Sequence, residues 1–509
     1  MMTVSQLAHL GLFDSNAPRY TSYPTAPHFD TAVGASDHEA WIEKIPSEST
    51  FSLYLHVPFC RRLCWFCACR TQGTTNDEPV KVYLEILKAE LRMIADRLPA
   101  GARIGRLHWG GGTPTLLKPG QIADLARAVR DLAPFADNAE FSVEIDPNEI
   151  DADRADVLMD AGMNRVSIGV QDFAPKIQEI IGRPQSFEIT RDAVELFRDR
   201  GITSLNTDIL YGLPRQTPEG ITETVQKLLS LTPDRVALYG YAHVPWMSRR
   251  QSVIPTDTLP VPQDRLQLFQ TARRLFSWDG YAEIGIDHFA RPGDGLARAQ
   301  SEGRLRRNFQ GYTDDNAEVL IGVGASSISR FPQGYTQNAP ATSAHNAAIR
   351  DGRFATSRGH AFTGDDKLRA RLIEELMCRF RIDTDRIVTE FGIDRASVET
   401  LYDKLDARLP DVARRSADGC TVLRRVRGQP DRAFHGHLTS RPEDGAARRA
   451  ALAIGFRHAD ERHEDGKTMA LAGRGRDLCA DPAGAPLHSL RHRFRGRRDA
   501  GQPRHHGAG

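Results

Sequence analysis

The sequence predicts an α/β fold: a parallel sheet of about six β/α units, closed or nearly closed into a partial barrel. A lead-in precedes it and a small, mostly helical domain follows. Two observations carry this. Short runs rich in Val, Ile, Leu and aromatic residues alternate with longer amphipathic stretches from about residue 50 to 290, and runs of that composition suit strands buried in a parallel sheet. The alternation repeats along the chain, which implies right-handed crossovers and a sheet covered by helices.

Taken in order, residues 1–50 are the lead-in. Its PRYTSYPTAPHF stretch holds three prolines and little periodicity, which marks a connecting segment rather than a core element. Residues 51–290 are the barrel. Its strand candidates are FSLYLHV (51–57), RIGRLHW (103–109), EFSVEI (140–145), NRVSIGV (164–170), TSLNTDIL (203–210), DRVALYGY (234–241) and YAEIGI (281–286). Between them lie EPVKVYLEILKAELRMIADRL (78–98), with Val82, Ile86, Leu87 and Ile94 marking one face, and PGQIADLARAVRDLA, DADRADVLMDAG and PEGITETVQKLLSL. Residues 291–360 extend this domain. Helical periodicity returns within 361–423, in DDKLRARLIEELMCRF and RASVETLYDKLDAR.

Composition excludes several classes. Hydrophobic content of 40% and charged content of 26% over 509 residues suit a soluble globular chain with a substantial core. A net charge of +1 gives no global signal for nucleic acid or membrane. No run approaches the length of apolar residues needed to span a bilayer. Seven cysteines and no secretory leader point to a reducing cytoplasm, not a disulfide framework.

Four of those cysteines, Cys60, Cys64, Cys67 and Cys69, crowd into HVPFCRRLCWFCACR. The first three have C-x3-C-x2-C spacing, which suits a cluster in which one iron lacks a protein ligand. S-adenosylmethionine (SAM) can occupy that position, accept an electron and break into methionine and a carbon radical. The rival is structural zinc held by four thiolates, although zinc modules usually draw two pairs from separated knuckles. Because the loop follows the first strand, it lies at the carboxyl end of the sheet, where barrel chemistry sits.

Further motifs recur at strand ends. GGGTPT (110–115) follows the second strand; it is either a tight turn or a close approach whose backbone fixes the amino group of an amino acid. EIDPNE (144–149) ends the third, with Glu144 placed to face the barrel mouth and accept hydrogen bonds from a ribose, and Asp146 or Asn148 placed to cap a helix. GVQDF, NTDILYGLPRQT and YAHVP put Gln171, Asp208 and Ala242 at the ends of the next three.

Together with GIDHFARP and RNFQGYT, these motifs resemble the oxygen-independent coproporphyrinogen III dehydrogenases (anaerobic coproporphyrinogen III oxidases), a family of the radical SAM superfamily. The resemblance runs from Arg19 to about residue 420. It implies a [4Fe–4S] cluster on Cys60, Cys64 and Cys67, with Cys69 an additional cysteine that is not a ligand. It implies two SAM molecules, one contacted by Tyr54, Gly111, Glu144 and Ile328, the other by Phe66, Gly112, Thr113, Gln171, Arg183, Asp208 and Ala242. The implied reaction converts two propionates of coproporphyrinogen III to the vinyl groups of protoporphyrinogen IX. The electron would come from a protein such as flavodoxin or ferredoxin, and the enzyme would work as a cytoplasmic monomer without nucleic acid. Arg19 and Arg183 are candidate partners for the propionates, because a guanidinium binds carboxylate bidentately. The close alternative is the family's haem-chaperone relative, which is not expected to carry Cys69 or the RNFQGYT segment.

The chain departs from the family after SADGCTVL (416–423). Residues 424–509 lose apolar periodicity, become rich in Arg, Gly, Ala and His, and hold eight of the seventeen histidines. A basic nucleic-acid or metal-binding tail and a disordered extension are two readings. The one we favour is a shift of reading frame near residue 423, which expects 425–509 to be poorly packed and the enzyme to be impaired.

Overall fold

The computed structural model describes residues 22–398 and 400. Arg19, the end of the helical domain and the atypical tail, with the expectations attached to them, lie outside the described residues.

Six parallel strands form the centre of a twelve-stranded sheet: β1 (Thr50–Val57), β2 (Arg103–Gly111), β3 (Phe135–Ile145), β4 (Arg165–Gln171), β5 (Leu205–Tyr211) and β6 (Arg235–Gly240). Each pairs in parallel with the next. They are joined by α1 (Glu78–Ala95), α2 (Pro119–Leu132), α3 (Ala152–Asp160), α4 (Phe187–Arg198) and α5 (Pro218–Ser230), and α6 (Pro262–Trp278) follows β6. Local chemistry sets several helix starts. Asp151, Ser186 and Thr217 accept hydrogen bonds from the N–H groups of Arg154, Ile189 and Gly220, and Pro119, Pro218 and Pro262 occupy first helical positions, where no N–H is needed.

Among the described residues the sheet does not close. β7 (Ala282–Ile284) and β8 (His288–Ala290) form an antiparallel edge beside β6, so YAEIGI is a hairpin strand and not a further parallel unit. At the other edge, β9 (Leu320–Val323) runs parallel to β1 and leads antiparallel into β10 (Ile328–Phe331), β11 (Gly334–Asn338) and β12 (Thr356–Ala361). The barrel is therefore an open arc.

Two faces of the arc differ. Outward, Phe51, Leu53, Leu55, Leu107, Trp109, Val143, Ile168, Ile209 and Leu238 are buried in one core with the helices. Fully burying each such side chain is worth roughly 1.5–3 kcal/mol before entropy is counted. Inward, Ser52, Tyr54, Arg106, His108, Glu140, Ser142, Glu144, Arg165, Ser167, Asn206, Asp208 and Arg235 line a cavity of about 200 Å3. The strands are thus buried on one side and polar on the other, unlike the two-sided apolar strands their composition suggests.

The lead-in also differs from its reading. Within it, helix Ala35–Glu43 buries Trp41 and Ile42 in the main core, and Val33 and Ile45 flank it there. Helix Asp366–Arg379 and helix Thr384–Phe391 follow β12 and share a smaller core of Leu368, Leu372, Leu376, Ile382 and Ile387. Among the described residues no helix is long and apolar enough to cross a membrane.

Candidate active site

The cysteine loop leaves β1 at its carboxyl end. Cys60, Cys64 and Cys67 are half-buried, and Cys69 is exposed. Its entry is fixed by the glycine turn after β2. The N–H groups of Gly112 and Thr113 donate to Val57 O and Phe59 O, both at 2.8 Å. The N–H of Gly111 donates to Glu144 Oε2 at 2.9 Å. Gly111 has φ +111°, and a Cβ there would lie 2.4 Å from the His56 ring; one on Gly112 would lie 2.5 Å from Phe59 O. These glycines allow close backbone packing. The N–H groups of Gly111, Gly112 and Thr113 are thus spent on Glu144 and the cysteine loop.

A second brace escaped the sequence. Gln251, fully buried, donates from Nε2 to Phe66 O at 2.6 Å and to Ala242 O at 3.1 Å, and its Oε1 accepts from Val244 N–H at 2.5 Å. Ser248 Oγ donates to Cys67 O at 3.1 Å, and Arg250 Nη2 to Thr71 O at 2.8 Å. One glutamine in an irregular loop gives no pattern to read. Phe66 and Ala242 are brought together by it, Phe66 packing half-buried beside Ile177, Ile181 and Tyr241.

Arg183 ties β4 to the same loop. Its Nη2 donates to Gly169 O at 3.0 Å, Nε to Gln185 Oε1 at 3.2 Å and Nη1 to Cys64 Sγ at 3.5 Å, with Asp146 Oδ2 at 3.6 Å. Each guanidinium nitrogen meets a protein atom, so Arg183 braces the cysteine loop against β4. Gln171, at the end of β4, has φ 70° beside a register shift in the ladder. A non-glycine residue held there is a strained position of the kind concentrated at functional sites.

Tyr54, Glu144 and Asp208 share the polar cavity. The Tyr54 hydroxyl is 2.9 Å from His56 Nδ1, and its ring stacks on His108. Burial works to raise the Glu144 carboxyl, but His108, the Gly111 N–H and His56 outweigh it and hold the group below its usual range. Asp208 is less well compensated: burial, with Glu144 adding to it, pushes it up to about 6 against the opposing pull of Asn206 Nδ2, which donates to it at 2.9 Å, His288 and Ser167. Asp146 accepts from Asn148 N–H at 3.0 Å, the capping role foreseen for it. Ile328 stands two strands from Tyr54, with β9 between: Tyr54 pairs with Gly322, and the Ile328 carbonyl lies against Gly322. His56 and His108 were not singled out, but the alternation that turns Tyr54 inward also turns them inward.

The donor set fits an iron–sulfur cluster. Thr113 hydrogen-bonds the Cys60 sulfur, and Arg183 stands against Cys64. A hydrogen bond from Cys69 draws Cys67 below the usual thiol range, with Arg250 and Arg183 adding to it. Burial, with the neighbouring Cys67 and Cys64 adding to it, pushes Cys60 up to about 11, so its thiolate needs the counter-charge that a metal supplies. Among the described residues, no three His, Cys, Asp or Glu side chains converge on a single-ion site.

Known proteins share this arrangement. The family model of the Radical SAM superfamily matches residues 54–228. The oxygen-independent coproporphyrinogen III oxidase of Paracoccus denitrificans is 63% identical over 426 residues, covering 84% of this chain and 94% of the relative. That of Cereibacter sphaeroides is 59% identical over 423 residues, covering 83% and 94%. The solved structure of coproporphyrinogen III oxidase from Escherichia coli superposes with a TM-score of 0.77 at 36% identity, covering 86% of this chain and 97% of that one. With the cysteine loop seated on an open β/α arc and likeness across nearly the whole length of these relatives, the chain belongs to the oxygen-independent coproporphyrinogen III oxidases of the radical SAM superfamily.

Proposed function

We propose that the chain oxidatively decarboxylates two propionates of coproporphyrinogen III to the vinyl groups of protoporphyrinogen IX, in oxygen-independent haem biosynthesis. The observation that carries this is the C-x3-C-x2-C loop braced at the carboxyl end of an arc whose inner face is polar and open. Cys60, Cys64 and Cys67 would hold a [4Fe–4S] cluster, and Tyr54, Gly111, Glu144 and Ile328 a SAM molecule beside it. Phe66, Gly112, Thr113, Gln171, Arg183, Asp208 and Ala242 would hold a second SAM. When bound, these groups supply an electron and a carbon radical. Each propionate then loses a hydrogen atom from its β-carbon, CO2 from its carboxylate and one electron to an acceptor, leaving the vinyl.

The protein's own part is position. The glycine turn and Gln251 fix the loop; Glu144, held ionised beside the Gly111 N–H, suits a ribose diol or an ammonium group. The inner wall of the arc orients the tetrapyrrole, and such positioning supplies a large share of a rate enhancement. A small electron-carrying protein such as flavodoxin or ferredoxin is the reductant in this reading, and the enzyme is a cytoplasmic monomer. Its parts are the lead-in 1–50, barrel 51–290, extension 291–360 and helical domain 361–423.

Anaerobic reconstitution tests this. The cluster's electron paramagnetic resonance (EPR) spectrum should change on adding SAM, and coproporphyrinogen III with reductant should yield CO2 and 5′-deoxyadenosine. A spectrum indifferent to SAM, or tight haem binding without CO2, would refute it.

A further inference from the structure

Three arginines stand on the inner wall of the arc, Arg106, Arg165 and Arg235, and all are matched by acids. Arg106 meets Glu140 at 2.9 Å and Asp314 at 2.6 Å. Arg165 meets Glu140 at 3.5 Å, and Arg235 meets Asp294 at 2.7 Å. Arg307 differs. On the ribbon beside that wall, its Nε and Nη1 are shut off from solvent and, among the described residues, have no hydrogen-bond acceptor. Its neighbour Arg306 takes the nearby Glu374 at 2.8 Å, while the Arg307 backbone N–H uses the same carboxylate oxygen at 3.1 Å.

The side chain is nonetheless well placed. Arg307 pairs with Tyr312 in a two-stranded ribbon, and its guanidinium sits 4.5 Å from the Tyr312 ring centroid. Tyr312 is fixed in turn: its hydroxyl donates to Met377 O at 3.0 Å and accepts from Ile286 N–H at 3.1 Å. A cation held over an aromatic face is preorganised while its in-plane donors stay available. Arg307 lines a cavity of about 300 Å3 that also exposes Arg330, Lys367, Phe309 and Phe362. Three of the cavity's four acids are already engaged, Glu374 by Arg306, Glu390 by Arg371 at 3.0 Å and Asp315 by Arg106 at 3.7 Å, and the fourth, Glu318, is exposed. Asn308, Thr313, Asp315 and Leu320 line both this cavity and the polar cleft, so the two adjoin.

A buried guanidinium without an acceptor is costly unless a ligand supplies one. We infer that Arg307 is the clamp for a propionate carboxylate of the tetrapyrrole, one held away from the cysteine loop, with Phe309 and Phe362 offering apolar contact to the macrocycle. The inference rests on the proposed function for the identity of the ligand. SAM also carries a carboxylate, so the two sources must be separated.

Full-length parent, Arg307→Gln and Arg307→Lys are reconstituted anaerobically, matched by cluster EPR intensity and titrated with coproporphyrin III and, separately, with SAM. Loss of a charge-assisted pair predicts a Kd for coproporphyrin III weakened about tenfold or more in R307Q, with R307K intermediate. SAM affinity should not change. The tetramethyl ester of coproporphyrin III should bind parent and R307Q equally weakly. Equal porphyrin affinity in parent and R307Q, or a loss confined to SAM, overturns the inference. A parent that shows the Arg307-dependent affinity yet releases no CO2 from coproporphyrinogen III refutes the proposed function and leaves the carboxylate clamp standing.

Discussion

The two ends of the arc's inner face are built by opposite rules. At the amino ends of the strands, charges are closed against one another: Arg106, Glu140, Arg165, Asp314 and Asp315 form one network, and Arg235 and Asp294 a buried pair. Its arginines hold Glu140 down to about 2 despite its burial. At the carboxyl ends, charged groups are met by backbone N–H groups, histidines and single contacts instead of closed networks of ion pairs. Glu144 leans on a backbone N–H and His108, Asp208 has no ion pair among the described residues and Gln171 sits at positive φ. One end stabilises the fold, and the other carries strain and incompletely compensated charge where ligands are expected.

The largest test of this contrast removes a cluster ligand. Cys64→Ala should abolish the iron-dependent absorbance and SAM cleavage to the limit of detection, while the far-ultraviolet circular dichroism stays that of the parent. Methionine release that persisted would sink the assignment of the carboxyl end as the reactive one.

At the amino end the expectation reverses. Asp294→Ala strands Arg235 in a buried site and removes the cap on Leu296 N–H, which Asp294 accepts at 2.8 Å. Breaking a buried pair by deleting one partner costs about 3–5 kcal/mol. Urea unfolding of the apoprotein should show that loss, and at temperatures where the variant stays folded SAM cleavage should remain near the parent's. The reverse pattern, stable but inactive, would make the amino end part of the site.

How much of this was legible follows from the same two faces. The strands and most crossover helices could be read because their outward residues, from Phe51 through Leu238, must be apolar to meet the helices. The inner face was written just as openly, in Arg106–His108–Gly110, Glu140–Ser142–Glu144 and Asn206–Asp208, but its polar alternation is masked by the apolar residues between. The cysteine spacing and EIDPNE were readable because sequence-local geometry fixes them. The edge strands β9 to β12 were not, since short strands such as LIGV (320–323) owe their register to partners far away in the chain. Gln251 and Arg307 were invisible for a related reason. One is defined by which carbonyls it reaches, and the other by the acceptors it lacks.

A smaller test lies between the two ends. Gln251→Ala removes the bridge between Phe66 O and Ala242 O without touching a thiol. Groups that orient metal ligands typically matter by about 10–100-fold in affinity. The variant should lose its cluster to a chelator faster by that order, with its unfolding midpoint little changed. Equal rates in variant and parent would mean that the glycine turn alone holds the loop.

The smallest effect expected is one of pH. Asp208 has a folded value of about 6 against an unfolded value near the usual 3.8, raised chiefly because burial disfavours its charge and further by Glu144. The ionised carboxylate is therefore less welcome in the fold than in the unfolded chain. Its contribution to stability is fully present below the unfolded value and is lost as pH rises through about 6. Asp208→Asn cannot ionise, so relative to the parent it should gain stability as pH climbs from 4 to 6 and hold that gain above. Because the cleft is open to solvent, the gain should be about 1–2 kcal/mol, read from urea midpoints at matched pH values. A parent and variant whose midpoints run parallel across that window would show that Asp208 is compensated after all. The carboxyl end would then be closed by charge as the amino end is.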